Sequence, residues 1–428
     1  VVLVFGDLFA EHPCTAKDVL PMRSVSRSSG MIVVSPEENN TSWFATTHLR
    51  CKPAGEAAVA AGLLKAAAGG VNLPADLSKF IEGTGWNEIE RFGGVAREDI
   101  ENAAKSLLGA AKVQTYISNI FGRIAGLDVA SLFAEALTKL CPGDSEFIPQ
   151  FVQQNTWGIY STLARSGTVG LLGKLESSEI KALVILGLDI FSAYPAGPVE
   201  KALREKKFTV TTQVFWNQTA SRANVVVPSS ILVEKKGTVS PAFGEDLERD
   251  GSLDPPGGAV SDAEFLTALA REMGSDLSAS AADRVTARSG SGEWLGESWN
   301  LYASEMGALD TAETVMIPWS EAVHAADGSV SRNLHWSDVT SPEPLLYLSK
   351  DFAGELGLSD GDTVSVTSEG GEAVLAVKST SRLEDKMVGA TIHFPAVRKL
   401  FPWKLDERSG EIRLAPVGVR LGRQSEKS

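Results

Sequence analysis

Cysteine is scarce in these 428 residues: there are three, Cys14, Cys51 and Cys141, none within four residues of another. With no C-x-x-C or C-x-x-x-C run, the chain cannot by itself hold a cubane iron–sulfur cluster on four thiolates. A tetrahedral zinc site from neighbouring cysteines is equally disfavoured. Three unpaired thiols suit a reducing compartment, so a cytoplasmic setting is expected. Long apolar runs are also missing, and no membrane-spanning helix is expected. Positive charge is in deficit, with 40 Lys and Arg against 54 Asp and Glu, a net charge of −14. Nucleic acid is therefore not expected as a partner, because neutralising phosphates needs basic surface. There is no P-loop and no G-x-S-x-G elbow. The carboxylate groups "EDLERD" (245–250) and "SPEEN" (35–39) read as solvated loops rather than a hard-metal site.

An initiator Met and a signal-peptide n-region are absent as well. The chain opens on "VVLVFGD", a buried-strand pattern that runs straight into a loop. The expectation is a fragment, a processed product, or a subunit whose first half lies on another polypeptide.

What is present is a long alternation of helix and strand signals. A chain of this length needs two to four cores. "VVLVF" (1–5) and "MIVVS" (31–35) read as strands, with a helix or broken helix over 15–30 between them. "GEAAVAAGLLKAAAGG" (55–70), 97–111 and 127–140 read as helices, and 112–118 as a strand. Residues 71–95 read as a connector. "IKALVILGLD" (180–189) reads as a buried strand, followed by a helix (197–207), strands over 208–214 and 223–228, and a helix over 262–274. Residues 275–310, rich in Ser, Ala, Gly and Asp, read as a linker or mobile loop. From about 312 the grammar changes to short strands and tight turns, with one small helix over 350–358.

The run "LLYLSKDFAGELGLSDGDTVSVTSEGGEAVLAVKSTSRLEDKMVGATIHF" carries A-x-x-L-G-L, then D-G-D-x-V-x-V, then a Gly turn and a returning strand. It resembles the dinucleotide-binding double-psi barrel of the molybdopterin oxidoreductase family, which includes formate dehydrogenases, periplasmic nitrate reductases and the large subunit of complex I. The opening stretch through "KPAGEAAVAAGLL" is similar to the second half of the family's cofactor-binding α/β domain. The stretch "LVILGLDIFSAYP…FTVTTQVFWNQTASRANVVVPSSILVEKKGTV" is similar to its next domain. The resemblance covers nearly the whole chain in order. It implies an α/β fold of doubly wound parallel-sheet domains followed by a C-terminal double-psi β-barrel domain. The expected divisions are 1–80, 81–305 and 306–428.

The departures fall on functional positions. Gly6-Asp7-Leu8-Phe9 stands where the family has G-x-N-P. Ser35-Pro36-Glu37 replaces D-P-R, whose Asp accepts from a guanine; Ser35 offers at most a weaker, neutral contact. Ala45-Thr46 and Ala223-Asn224 replace two A-D pairs, and "SPAFGEDLER" replaces N-G-R.

By this resemblance the cofactor-binding candidates are Gly6, Asp7, His12 and Ser35 in the first unit, and Gly187 and Asp189 at the second strand end. Ser329, Ser331, Arg332 and Asn333 at the barrel entry could donate to a pyrophosphate, Arg332 through a bidentate fork. His393 matches a late barrel His and reads as core-adjacent. His12-Pro13 is either a loop beside a nucleotide or a helix-entry turn with Pro at its first position. Cys14 reads as a buried structural thiol. His324 and His335 read equally as loop or catalytic residues.

Two functions follow from the resemblance. One is a cofactor-supporting or non-catalytic subunit, or C-terminal portion, of a multi-subunit oxidoreductase. The other is a competent molybdenum or tungsten enzyme of formate dehydrogenase type on a bis-molybdopterin guanine dinucleotide, with metal ligand and iron–sulfur clusters on a preceding part or another subunit. Both imply iron–sulfur and other electron-transfer subunits as partners. Neither places an iron–sulfur cluster on this chain.

Overall fold

Parallel strands covered on both faces must be apolar throughout, and the first strands meet that condition. The computed structural model describes residues 1–22, 29–69, 73–118, 126–150, 177–193, 196–239, 245–275, 293–324, 327–384, 386–402, 404–405 and 412–423. Strands β1 (Val2–Phe5), β2 (Met31–Ser35), β3 (Thr47–Arg50), β4 (Gln114–Ile117) and β5 (Glu146–Pro149) form one parallel sheet in the order β3-β2-β1-β4-β5. Every residue of β1 and β2 is buried.

Alternate side chains go to opposite faces of a strand. Leu3, Phe5, Ile32 and Val34 face a layer built from the helices Glu56–Ala67, Arg97–Leu108 and Leu127–Leu140. Val2, Val4, Met31 and Val33 face the other way, with Leu8 and Val19. The sheet is doubly wound, and its order reverses between β1 and β4.

Two segments depart from expectation. The connector over 71–95 contains helices Ala75–Gly83 and Trp86–Gly93, which bury Leu77, Ile81, Ile89 and Phe92. The described part of the expected linker, 293–310, is an 18-residue helix. Its Leu295, Trp299, Tyr302 and Met306 enter the first core. Trp299 packs edge-on against Phe80 and Phe133. Small and polar residues between the anchors hid that stripe. The first core therefore draws on residues beyond both 80 and 305. Residues 276–292, the rest of the expected linker, and 23–28 of the expected first helix lie outside the described residues.

Strands β6 (Ala182–Leu186), β7 (Phe208–Gln213) and β8 (Val225–Pro228) form a second parallel sheet in that order. β6 is less covered than its apolar sequence suggests: Ile185 is buried but Val184 is 44% exposed. β8 lies at the edge of this sheet, where ending in Pro228 costs no central ladder bond. The Asn224 side chain accepts from the Thr209 N–H (2.8 Å) and clamps the start of β8 to β7. The charged turn after β8 leads into a hairpin of β9 (Gly237–Val239) and β10 (Leu247–Arg249). Lys235 there pairs with Asp262 at 3.2 Å, tying the turn to the helix Asp262–Glu272.

The C-terminal strands are β11 (Thr314–Trp319), β12 (Leu345–Ser349), β13 (Thr363–Ser368), β14 (Gly371–Thr380), β15 (Met387–Thr391) and β18 (Val417–Arg423). They close into a barrel in the order β11-β15-β12-β14-β13-β18. The pairs β11–β15 and β12–β14 are parallel, and the other pairs are antiparallel. A small pair, β16 (Lys404–Leu405) and β17 (Ile412–Arg413), precedes the last strand. Met316, Leu348, Val366, Leu375 and Val388 fill the barrel.

Candidate functional site

Parallel α/β sheets bind ligands in the crevice beyond their strands' carboxyl ends. Beyond β6 and β7 there is a cleft of about 650 Å³, and its other wall is the barrel. The sheet side supplies Gly187, Leu188 and Asp189 after β6, Gln213 at the end of β7, and Trp216 and Asn217 after it. The barrel side supplies Asp327, Ser329, Arg332, Asn333 and Arg398.

Asp189 is held by two hydroxyl donors, Thr219 (2.6 Å) and Ser192 (2.9 Å). The Trp216 indole N–H donates to Ser221 Oγ at 2.9 Å, which fixes a side chain that is 74% exposed at the cleft.

The loop 327–333 is shaped by Gly328, whose φ of +75° suits glycine. A Cβ there would meet His393 O at 2.5 Å and Arg332 Nε at 3.0 Å. The Ser329 N–H donates to Asp327 Oδ1, and the Asn333 amide donates to Ser329 O. Arg332 Nε is buried and has no hydrogen-bond partner. Arg398 is almost fully buried and lies 3.6 Å from Asp327. Burial lowers the Arg398 pKa, and Arg332 adds to the effect, while Asp327 and Asp189 oppose it. Two guanidiniums thus share one cleft, and one of them has a buried donor unsatisfied.

Behind this wall lies a closed polar core. His393 Nε2 accepts from the Glu321 N–H at 2.9 Å, and its ring lies 5.1 Å from that of His324. His324 contacts Ser331 Oγ through Nδ1 and the Ser341 carbonyl through Nε2. Tyr347 and Ser341 both donate to the Glu321 carboxylate. Burial, then that carboxylate, raises the Tyr347 pKa. Ser331, His324 and His393 are each over nine-tenths buried and hold the loop rather than face the cleft. His335 opens the short exposed helix His335–Thr340.

The carboxyl edge of the first sheet is built differently. The Asp7 carboxylate is buried and accepts from the Thr41 hydroxyl (2.8 Å) and from the N–H groups of Ala10, Asn40 and Thr41 (3.2 Å each). Burial raises its pKa. Ser35 is fully buried; its hydroxyl donates to Glu37 O (2.9 Å) and accepts from the Asn39 amide (3.1 Å). His48 Nε2 lies 3.0 Å from the same hydroxyl. Gly6, with φ of +89°, lies where a Cβ would meet Ser118 O at 2.3 Å. Ser118 in turn donates to Glu11 across the reversal point of the sheet. His12 precedes Pro13, the first residue of a short helix. Its Nε2 is buried without a partner, and burial lowers its pKa to about 4. Among the described residues, the pocket between this edge and Trp319, Ser320 and Arg382 is about 30 Å³.

Of the candidates, Gly187, Asp189, Ser329, Arg332 and Asn333 meet in one cleft. Gly6, Asp7, His12, Ser35, Ser331 and His393 do not line it. Cys14, expected to be buried, is exposed, because it lies on the outer side of a short surface helix. Sequence reading missed Trp216, Asn217, Asp327 and Arg398. The strand-end rule that marks 187–189 applies equally to 214–217 after β7. Arg398 carries no local signal, because only the fold brings the helix Pro395–Arg398 to this wall.

Two wound parallel sheets and a closed barrel, with an arginine-lined cleft at the strand ends of the second sheet, form an α/β architecture of the kind that binds ligands in such crevices. The family model for molybdopterin oxidoreductases matches residues 2–272, and that for the molydopterin dinucleotide binding domain matches 321–415. The chain belongs to the molybdopterin oxidoreductase family. It is 22% identical to the NADPH-Fe(3+) oxidoreductase subunit alpha of Geobacter sulfurreducens, over 92% of this chain and 53% of that protein. It is 25% identical to the assimilatory nitrate reductase catalytic subunit of Bacillus subtilis, over 64% of this chain and 46% of that one. An NADH-quinone oxidoreductase subunit of Mycobacterium bovis is 24% identical over 61% of this chain and 34% of its own length. The chain thus spans about half the length of the first two of these relatives. Among solved structures, acetylene hydratase from Pelobacter acetylenicus superposes with a TM-score of 0.69 over 99% of this chain and 77% of that one, at 13% identity. That likeness speaks for the fold.

Proposed function

We propose that this chain is the cofactor-cradling part of a molybdopterin-family oxidoreductase, and that the cleft between the second sheet and the barrel holds a pterin dinucleotide. One observation carries the reading: Arg332 and Arg398 line the cleft together, with Arg332 Nε buried and unpartnered. A buried donor left without a partner costs about 1–3 kcal/mol, and a pyrophosphate oxygen would satisfy it. The volume, about 650 Å³, lies within the range of cofactor sites. Arg332 and Arg398 would hold the pyrophosphate, Asp189 and Asn217 offer polar contacts to the nucleoside, and Trp216 offers an apolar face.

The bound group would supply two-electron chemistry at molybdenum or tungsten. This chain's part is to bind and orient it. Among the described residues, no group of three or more His, Cys, Asp or Glu side chains is placed to hold a metal ion. The role we propose is cofactor support within a multi-subunit complex, with iron–sulfur and other electron-transfer subunits as partners in a cytoplasmic setting. Two relatives are named as subunits of electron-transfer oxidoreductases, which supports that reading.

The test is elemental analysis of the natively purified protein for molybdenum, tungsten and iron, with oxidised-pterin fluorescence on the same sample. Molybdenum or tungsten together with pterin is the expected result. Absence of pterin and of both metals would overturn the reading in favour of a pterin-free scaffold.

A further inference from the structure

Family resemblance implies a bis-dinucleotide cofactor in the cleft between domains, and this chain presents two parallel sheets, each with a carboxyl edge. The two edges of this chain differ in volume, charge and hydrogen-bond state. At the first edge the groups that would meet a nucleotide are already engaged. Asp7 accepts four internal hydrogen bonds from the 40–41 turn and Ala10, and Ser35 is fully buried. Ser118 and Glu11 bridge the reversal point, where α/β ligands enter.

The barrel then seals the edge. Arg382 stacks over Trp43 with its guanidinium 4.3 Å from the ring centroid. Its carbonyl accepts from the Glu38 N–H (3.0 Å) and from Arg50 Nη2 (3.1 Å). Arg50 also pairs with Glu384 at 3.1 Å. Among the described residues, the pocket left at this edge is about 30 Å³, far below the roughly 300 Å³ of the smaller ligand sites. It is lined by the carboxyl groups of Asp7, Glu11, Glu37 and Glu38 against Arg382 alone among basic residues. A pyrophosphate placed there would face an excess of acid. The second edge sets Arg332 and Arg398 against Asp189 and Asp327, a balance of charge, and its cleft is some twenty times larger.

We infer that the first carboxyl edge is a structural joint between sheet and barrel, closed to ligand, and that this chain binds a single dinucleotide at the second edge. The inference rests on the cofactor reading above.

Its test counts guanosine nucleotide released by acid from the natively purified holoprotein, and compares amide hydrogen exchange of the holoprotein with apoprotein from cells that make no pterin. About one nucleotide per chain is expected. Exchange at 187–193, 213–218 and 327–333 should slow by about tenfold or more on loading, with 6–12 and 35–44 unchanged within about twofold. Two nucleotides per chain, or one with protection confined to 6–12 and 35–44, would overturn the single second-edge site while leaving cofactor binding intact. No nucleotide would overturn both this inference and the cofactor reading.

Discussion

Arg398 Nη1 lies 3.6 Å from Asp327 Oδ2, a nearly buried guanidinium beside a carboxylate that keeps a quarter of its exposure. Charges taken from water are tolerable only when compensated, and removing one partner leaves the other stranded. Asp327→Asn should therefore destabilise the protein by about 2 kcal/mol, discounted for the carboxylate's solvent access. Urea unfolding of the variant checks this. An unchanged midpoint would show that the pair contributes nothing.

Gly328 brings the barrel loop against His393 at a φ of +75°. An L side chain in that region costs about 1–2 kcal/mol before any clash. Gly328→Ala should therefore cost at least about 2 kcal/mol and should reduce bound pterin, because the loop carrying Arg332 must move. Thermal unfolding and pterin fluorescence measure the two effects separately.

His12 gives a pH signature. Its folded pKa, about 4, is below the ordinary value of 6.5 because burial disfavours the imidazolium. Between these values the unfolded chain binds more protons, so stability rises with pH. The penalty is full below pH 4 and gone above about 6.5. Wild type should lose stability relative to His12→Gln as pH falls from 6.5 to 4, by roughly 1–2 kcal/mol after allowing for solvent access. The other titrating groups cancel in that difference. Parallel curves would sink the assignment.

The three thiols separate by environment. Cys14 is exposed, whereas Cys51 and Cys141 are buried, and burial pushes the Cys141 thiol up to about 11. Thiolate is the reactive form. Iodoacetamide should label Cys14 alone in the native protein and all three residues after unfolding, as read by peptide mass.

The helix Glu293–Asp310 belongs to the first core, so Trp299→Ala should cost about 3–5 kcal/mol. If the segment were a linker, the cost would be near zero. Calorimetry of the first unfolding transition distinguishes the two.

That helix also marks where sequence reading stops. Leu295, Trp299, Tyr302 and Met306 are correctly spaced for a buried stripe, but Ser, Gly and acidic residues between them gave the segment a linker's composition. Elements with dense apolar content, such as β1, β2, the helix Leu127–Leu140 and the barrel strands, were legible because their periodicity survives any context. The site was half legible. Strand ends and the barrel loop are local features, so Asp189 and Arg332 could be marked. Arg398 reaches the same cleft only through barrel closure. Asp7 and Ser35 were marked by position, but the 39–41 turn and the loop carrying Arg382, remote in sequence, occupy their surroundings.

Arg332 is proposed to hold a pterin dinucleotide in the second cleft. The most direct measurement is the pterin content per chain of Arg332→Gln against wild type, both purified natively. Because Arg332 Nε satisfies no protein group, the variant should match wild type in Tm within about 2 °C when both are made free of pterin. Pterin content should fall by about tenfold or more, as expected for a lost charge-assisted pair. Wild-type pterin content in the folded variant would contradict it.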